Sequence, residues 1–437
     1  MPAHDDAPDA ADAPITPDVP DAADDAVTPD VPDTPEAPGA STRPASPVIT
    51  SSEPGSFPWA VLAERHPVLI QQVRDAFPLG PAQHAALDAL LAEATEGVIE
   101  PLDADAHDRE RWAAWGQGYF GRSWFDVPFL WAESYFYRKL LGALGHFTPG
   151  PWQGIDPFGP FKAAELAGKL VDEELAALDE LAGQPADVQA PALLAGSLWG
   201  NRADLGFRID SGGAHESTAA GPDSRLVTDE SARLWTLLPT GGAATVHLVA
   251  DNAGRELIPD LVLVDHLLHS ERAADVVLHV KPHPYYISDA TMSDVVDSLR
   301  RLTHAPAAGY AAEIGRRLWA ATAAGRLTVR AHEFFCAPFP YSAMPDDLRQ
   351  QFAAATVTVL KGDLNYRRLV GDQLWPPTTP FAERTAYWPG PVAALRTLKS
   401  DVITGLDRDV LAALEASGEA WRTSGTHALV QVDARSR

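Results

Sequence analysis

Cysteine is nearly missing from this sequence: Cys336 stands alone among 437 residues. An internal disulfide is excluded, and a reducing, cytoplasmic setting is expected. No run of about 18 apolar residues occurs, so no membrane span is expected. The first residues lack a basic segment followed by an apolar one, so a secretory signal is not expected either. Basic residues are scarce. The 34 Lys and Arg face 60 Asp and Glu, a net charge of −26. No basic stripe stands out, which argues against nucleic acid as a partner. The nucleotide phosphate-loop pattern, His-Glu-x-x-His and Gly-x-Ser-x-Gly are all absent. Readings as a P-loop enzyme, a zincin or a serine hydrolase find no support.

What is present divides by composition. Residues 1–50 are mostly Ala, Asp, Pro, Thr and Val, and Thr-Pro-Asp-Val-Pro-Asp starts at both Thr16 and Thr28. Proline and repelling carboxylates predict a disordered acidic leader. Residues 55–190 read as a helical domain, with apolar spacings of three and four over Trp59–Ala76, Pro81–Glu96 and Asp108–Gly118. Lys162–Leu181 reads as one further surface helix. An aromatic helix follows Ser123 and holds Glu133 and Arg138, which cost energy unless paired. Pairing with neighbours is the favoured reading. Residues 191–437 alternate apolar β-type runs with helical ones. Strands are predicted at Thr245–Val249, Val276–Val280, Leu327–Ala331 and Thr356–Leu360. Helices are predicted at Gly254–Leu268, Ala290–Arg301, Ala307–Ala324 and Met344–Ala355. That alternation predicts an α/β fold with a mostly parallel sheet and helices on both faces. With 46% hydrophobic residues and 12 Trp, a large core can form.

Gly116-Gln-Gly-Tyr-Phe-Gly121 matches a dinucleotide fingerprint in form only, because a helical segment precedes it instead of a strand. Cys336 reads as a buried structural thiol, not a nucleophile. Three stretches carry more. Thr245–Val249 ends on Asp251-Asn252, with Gly254 and Glu256 just beyond. Ligands of open α/β sheets sit at such strand ends, and these oxygen donors suit a hard divalent ion. The spacing suits a helix cap equally well. Lys281-Pro-His-Pro-Tyr-Tyr-Ile-Ser-Asp289 leaves the next strand, and Asp289 can cap a helix and complete an oxygen set together with Asp251 and Asn252. Val357–Lys361 runs into Gly362 and a dense polar group, Asp363, Asn365, Tyr366 and Arg367. An arginine fork suits phosphate. Arg396 and Lys399, three apart, are expected where a last strand begins.

Together these residues resemble the damage-control phosphatase family, formerly domain of unknown function 89, in its subgroup with an Arg-Thr-x-Lys motif. The matching pieces are Leu198-Trp-Gly-Asn201 with Asp204, Asp251-Asn252-Ala-Gly with Glu256, and Ser288-Asp289. Lys361-Gly-Asp-Leu-Asn-Tyr-Arg367 and Arg396-Thr-Leu-Lys399 complete the series, in the family's order. The resemblance implies a helical N-terminal domain packed on a Rossmann-like three-layer α/β/α domain. It implies a divalent metal (Mn, Co, Ni or Mg) held by Asp251, Asn252 and Asp289, with Asp251 and Asn252 at the chemistry. It implies a substrate bound by Glu256, Asp363, Leu364, Asn365, Tyr366, Arg367 and Lys399, with Asn201 and Asp204 contributing. Members of the subgroup hydrolyse small sugar-phosphate monoesters, fructose 1-phosphate among them, so a small sugar phosphate is the expected partner. One branch is described as an S-adenosylmethionine-dependent protein-glutamate carboxyl methyltransferase. That activity and a non-catalytic metal and sugar-phosphate binder are the alternatives. Arg255, Pro259 and Lys281-Pro-His-Pro-Tyr-Tyr depart from the family pattern, which bears on substrate preference more than on metal binding.

Overall fold

Short apolar runs rich in β-branched residues form seven strands in the computed structural model, which describes residues 46–200, 225–305 and 309–435. They are β1 Leu226–Asp229, β2 Ala244–Val249, β3 Ala273–Val280, β4 Leu327–Ala331, β5 Val357–Lys361, β6 Val392–Thr397 and β7 Ala428–Asp433. Their order across the sheet is β1-β7-β6-β5-β2-β3-β4. Every neighbouring pair is parallel except β6 and β7. The four expected strands are β2 to β5. The mostly parallel α/β sheet stands as expected.

Alternation along the strands builds two cores. Val246 and Leu248 join Val276, Leu278 and Val359 under the helices Ala186–Trp199, Leu257–His269, Met292–Thr303 and Tyr310–Ala323. Val249, Leu360, Ala394 and Leu429 pack on the other face with Phe335, Leu348, Phe352 and Leu369. A third cluster joins Leu69, Val73, Leu87, Trp112, Trp131 and Phe136 in the helices His66–Ala76, Pro81–Thr95, Arg109–Trp115 and Phe129–Leu144. The expected helix Lys162–Leu181 is two helices, Gly159–Leu166 and Lys169–Ala182, broken around Gly168. The second of these, through Val171, Leu175 and Leu178, belongs to the sheet's core and not to the helical cluster. Among the described residues no helix is long and apolar enough to cross a membrane.

Strand order places the site. From β2 the chain steps outward to β3 and β4, whereas β5 and β6 lie on its other side. The neighbours β2 and β5 thus flank a switch point, and ligands of open parallel sheets bind beyond the carboxyl ends of such strands. Val249 pairs with both His279 and Leu360, so the ends of β2, β3 and β5 lie level.

The helical cluster buries a histidine with a readable consequence. His66 stacks on Phe136 with ring centroids 3.5 Å apart, and neither of its ring nitrogens has a hydrogen-bond partner. Burial, aided by Arg65, pushes its pKa down to about 3. The unfolded chain takes up the proton near pH 6.5, so the neutral folded ring contributes stability above that pH and loses it as pH falls. Between pH 7.5 and pH 5 this one group should withdraw about 2 kcal/mol. His66→Phe keeps the stack and removes the proton site. Urea unfolding at both pH values should show the variant losing less stability than the wild type on acidification. Equal losses would refute the assignment.

Candidate active site

β2 runs out through Ala250 into Asp251, and β5 runs out through Lys361 into Gly362. Gly362 has φ +83°, and a Cβ there would overlap the Asp251 carboxylate, so the crossing of these two strand ends requires glycine. The segment after β2 is stitched to the loop that carries Asp289. Ala290 N–H donates to Asp251 O at 2.9 Å, and Ala253 N–H to Ser288 O at 2.6 Å. Asn252 and Asp289 form an isolated bridge. Ser288 Oγ donates to Asn252 Oδ1 at 2.6 Å, and Asn252 Nδ2 donates to Glu256 Oε2 at 2.8 Å and Asp251 Oδ2 at 3.2 Å. Asp251, Asn252 and Asp289, distant or adjacent in sequence, are thus brought onto touching backbone.

This group holds more negative charge than it neutralises. Burial, then the Glu256 and Asp289 carboxylates, push the Asp251 carboxyl well above the ordinary range, against the pull of Lys399 and Lys281. Asp289 Oδ2 is buried and accepts no hydrogen bond. The Lys281 ammonium stands 3.5 Å from it and donates to Phe335 O at 3.1 Å. A hard divalent cation fits such a donor set: all oxygen, two carboxylates and an amide, with one buried oxygen unused. Among the described residues no three His, Cys, Asp or Glu side chains surround one cation position.

Asp251 opens onto a cleft lined also by Ser197, Glu256, Asp260, Lys361 and Lys399. Its inner wall is a closed network. Lys361 Nζ lies 2.7 Å from Asp260 Oδ1 and donates to both Ser197 Oγ, at 3.0 Å, and Ser197 O. Ser197 Oγ donates to Asp260 Oδ1 at 2.6 Å. Its outer wall is held by Asp363. That carboxylate accepts from Arg396 Nε at 2.8 Å, Ser400 Oγ at 3.1 Å and the backbone N–H of Lys399 at 3.2 Å. Burial would raise the Asp363 carboxyl, but the Arg396 and Arg367 guanidinia hold it below the ordinary range. Lys399, half-exposed, reaches within 3.7 Å of Glu256 Oε1. Arg396 and Lys399 therefore leave β6 at its carboxyl end. The expected start of a strand was reversed, because the alanines of Val-Ala-Ala-Leu hid the strand before them.

The remaining expected substrate residues separate. Asn365 is fully buried: Nδ2 donates to Ala250 O and Lys361 O, and Oδ1 accepts from Tyr341. Tyr366 turns its hydroxyl to Thr404 and Gln431. Both brace the helix Gly362–Val370, and neither lines the cleft with Asp251. Leu364 is part-exposed and offers no polar side-chain atom. Arg367 is buried, with Nε and Nη2 on Asp372 at 2.7 and 3.1 Å and Glu133 at 3.7 Å. It lines a separate pocket beside Phe129 and Ser400. Its fork is engaged by carboxylates, whereas Lys361 and Lys399 line the cleft with Asp251. Asn201 and Asp204 lie outside the described residues. Arg138 pairs with Asp108 at 2.7 Å, as favoured for the aromatic helix, and burial pushes the Cys336 thiol up to about 12. Sequence reasoning passed over Ser197 and Asp260. The signal for Asp260 was a carboxylate inside Leu-Ile-Pro-Asp-Leu-Val-Leu-Val, too costly to bury without a partner.

The sequence model of the family described as "Damage-control phosphatase ARMT1-like domain" matches residues 61–413. The rat protein named "Damage-control phosphatase ARMT1" is 31% identical over 345 residues, covering 71% of this chain and 75% of its own. Its bovine counterpart is 32% identical over 340 residues with the same coverage. A crystal structure of a DUF89 family protein from Pyrococcus horikoshii superposes with a TM-score of 0.42 at 15% identity. The superposition covers 80% of this chain and 92% of that one.

Proposed function

This chain belongs to the damage-control phosphatase ARMT1-like family, and on that premise we propose that it hydrolyses phosphate monoesters of small sugars, fructose 1-phosphate-like, with a divalent metal. The observation that carries the reading is the meeting of Asp251, Asn252 and Asp289 at the switch point, with Lys399 across the cleft. Asp251, Asn252 and Asp289 would hold Mn, Co, Ni or Mg, which would supply positive charge against the phosphoryl oxygens and acidify a bound water. Lys399 balances phosphate charge from the open side. The Gly362–Val370 helix starts where β5 ends, so its N-terminal dipole would favour an anion bound there. Asp251 would orient the attacking water and take its proton as the new P–O bond forms, while the P–O bond to the sugar breaks and the departing sugar oxygen takes a proton from solvent. Glu256 keeps Asn252 in place through its bond to Nδ2. Asp363 acts through Arg396 and Ser400, by fixing the turn that carries Lys399.

Counting the cleft's carboxylates and ammonium groups explains why the metal should matter for binding as well as chemistry. Among the described residues the cleft sets the carboxyls of Asp251, Glu256 and Asp260 beside Lys361, already paired with Asp260, and Lys399, so a metal would add positive charge where a phosphate dianion binds. A phosphate-release screen over sugar phosphates with Mn, Co, Ni or Mg should give turnover that EDTA abolishes and added metal restores. Release unaffected by EDTA would sink the metal, and stabilisation by sugar phosphates without release would mean a binding protein.

A further inference from the structure

The helical layer takes part in the metal site through a residue no motif marks. Lys162, on the helix Gly159–Leu166, is 5% exposed. A buried ammonium must spend all three of its hydrogens. Nζ lies 2.9 Å from Asp156 Oδ2 and 3.0 Å from Asp294 Oδ2, and it donates to the backbone carbonyl of Asp289 at 2.8 Å. The two carboxylates more than offset its charge. The third bond falls on the main chain of an expected metal ligand. The next N–H along, that of Ala290, donates to Asp251 O. The Asp289–Ala290 peptide is therefore gripped from both sides, by β2's exit and by the helical layer. Asp294 is itself fixed, accepting from Thr291 N at 2.8 Å and Thr291 Oγ1 at 2.7 Å in a capping box. The same helix backs the other ligand segment: at Gly254, with φ +62°, an added Cβ would meet Glu165 Oε2 at 2.6 Å.

We infer that Lys162 is a positioning residue for the metal site, setting from the helical layer where the Asp289 carboxylate stands relative to Asp251 and Asn252. The inference rests on the metal reading above. Outer partners of metal ligands typically control affinity by about 10–100-fold, because they fix the ligand's orientation. The test is isothermal titration of Mn2+ into the full-length, chelator-stripped protein. Lys162→Met should weaken the Mn2+ Kd by about 10-fold or more. Asp156→Asn removes a charge partner but leaves the bond to Asp289, and should bind Mn2+ within about twofold of wild type. Where Lys162→Met fails to fold, Asp156→Asn combined with Lys162→Met restores the wild type's local net charge, and the same weakening is expected of it. Wild-type Mn2+ affinity in either Lys162 variant overturns the inference. Equal weakening by Asp156→Asn does so as well, since it would reduce Lys162 to a general prop. A wild-type protein that takes up no Mn2+ would instead overturn the metal reading itself.

Discussion

Asp251→Asn is expected to cut phosphate release by about 10³-fold or more, roughly 4 kcal/mol of transition-state stabilisation, while leaving the fold intact. The two halves of that result have one cause. Asp251 is part-buried against Gly362, and desolvation with the Glu256 and Asp289 carboxylates opposes its ionisation. An amide of the same shape removes that repulsion, so in EDTA the variant should unfold no earlier than the wild type. It should also lose the stabilisation that Mn2+ gives the wild type, which at 100 times Kd amounts to about 2.7 kcal/mol. Melting with and without Mn2+, beside phosphate-release kinetics, checks all three. Near-normal turnover would remove Asp251 from the chemistry. A drop in stability in EDTA would show that the carboxylate is structural.

The parts of this molecule that the sequence made legible are those whose signal is local. β-branched runs ending on Asp251, Lys281 and Lys361 marked three parallel strands, and strand ends are where such a sheet presents polar groups. β6 and β7 escaped because Val-Ala-Ala-Leu has weak strand propensity and because Gln431, buried under Tyr366, breaks the apolar pattern. At the site, residue type predicted placement only where the backbone dictates it. Asp251 and Asn252 must emerge together, one residue past a strand. The polar residues after β5 shared one stretch, yet a helix distributes them around its axis, so Asp363 holds the cleft wall while Asn365, Tyr366 and Arg367 turn inward. Residues that act through pairing across the fold, such as Ser197 with Lys361 or Lys162 with the Asp289 carbonyl, have no local signature.

The Arg-Thr-x-Lys stretch shows how far a charged motif can be structural, and it carries the second large effect. Arg396 is fully buried, and most of its guanidinium hydrogens are engaged. Nε and Nη2 reach Asp363 Oδ1 at 2.8 and 2.7 Å, Nη2 reaches Ser400 Oγ at 2.9 Å, and Nη1 donates to Val402 O. Its plane lies 4.3 Å from the Tyr366 ring centroid. With no exposed surface, it does not reach a substrate in the cleft. Arg396→Met strands a buried carboxylate and the carbonyls of the turn, and should cost about 3–5 kcal/mol in chemical unfolding. Arg396→Lys should recover little, because an ammonium cannot supply a planar fork to three acceptors. Asp363→Leu with Arg396→Met removes both charges and should regain much of the stability. That double variant should still show a raised KM, because the backbone N–H of Lys399 loses the acceptor that holds it over Glu256. A double variant with wild-type KM would mean that Lys399 finds its place unaided. Wild-type stability in Arg396→Met would mean that the buried fork contributes nothing to the turn.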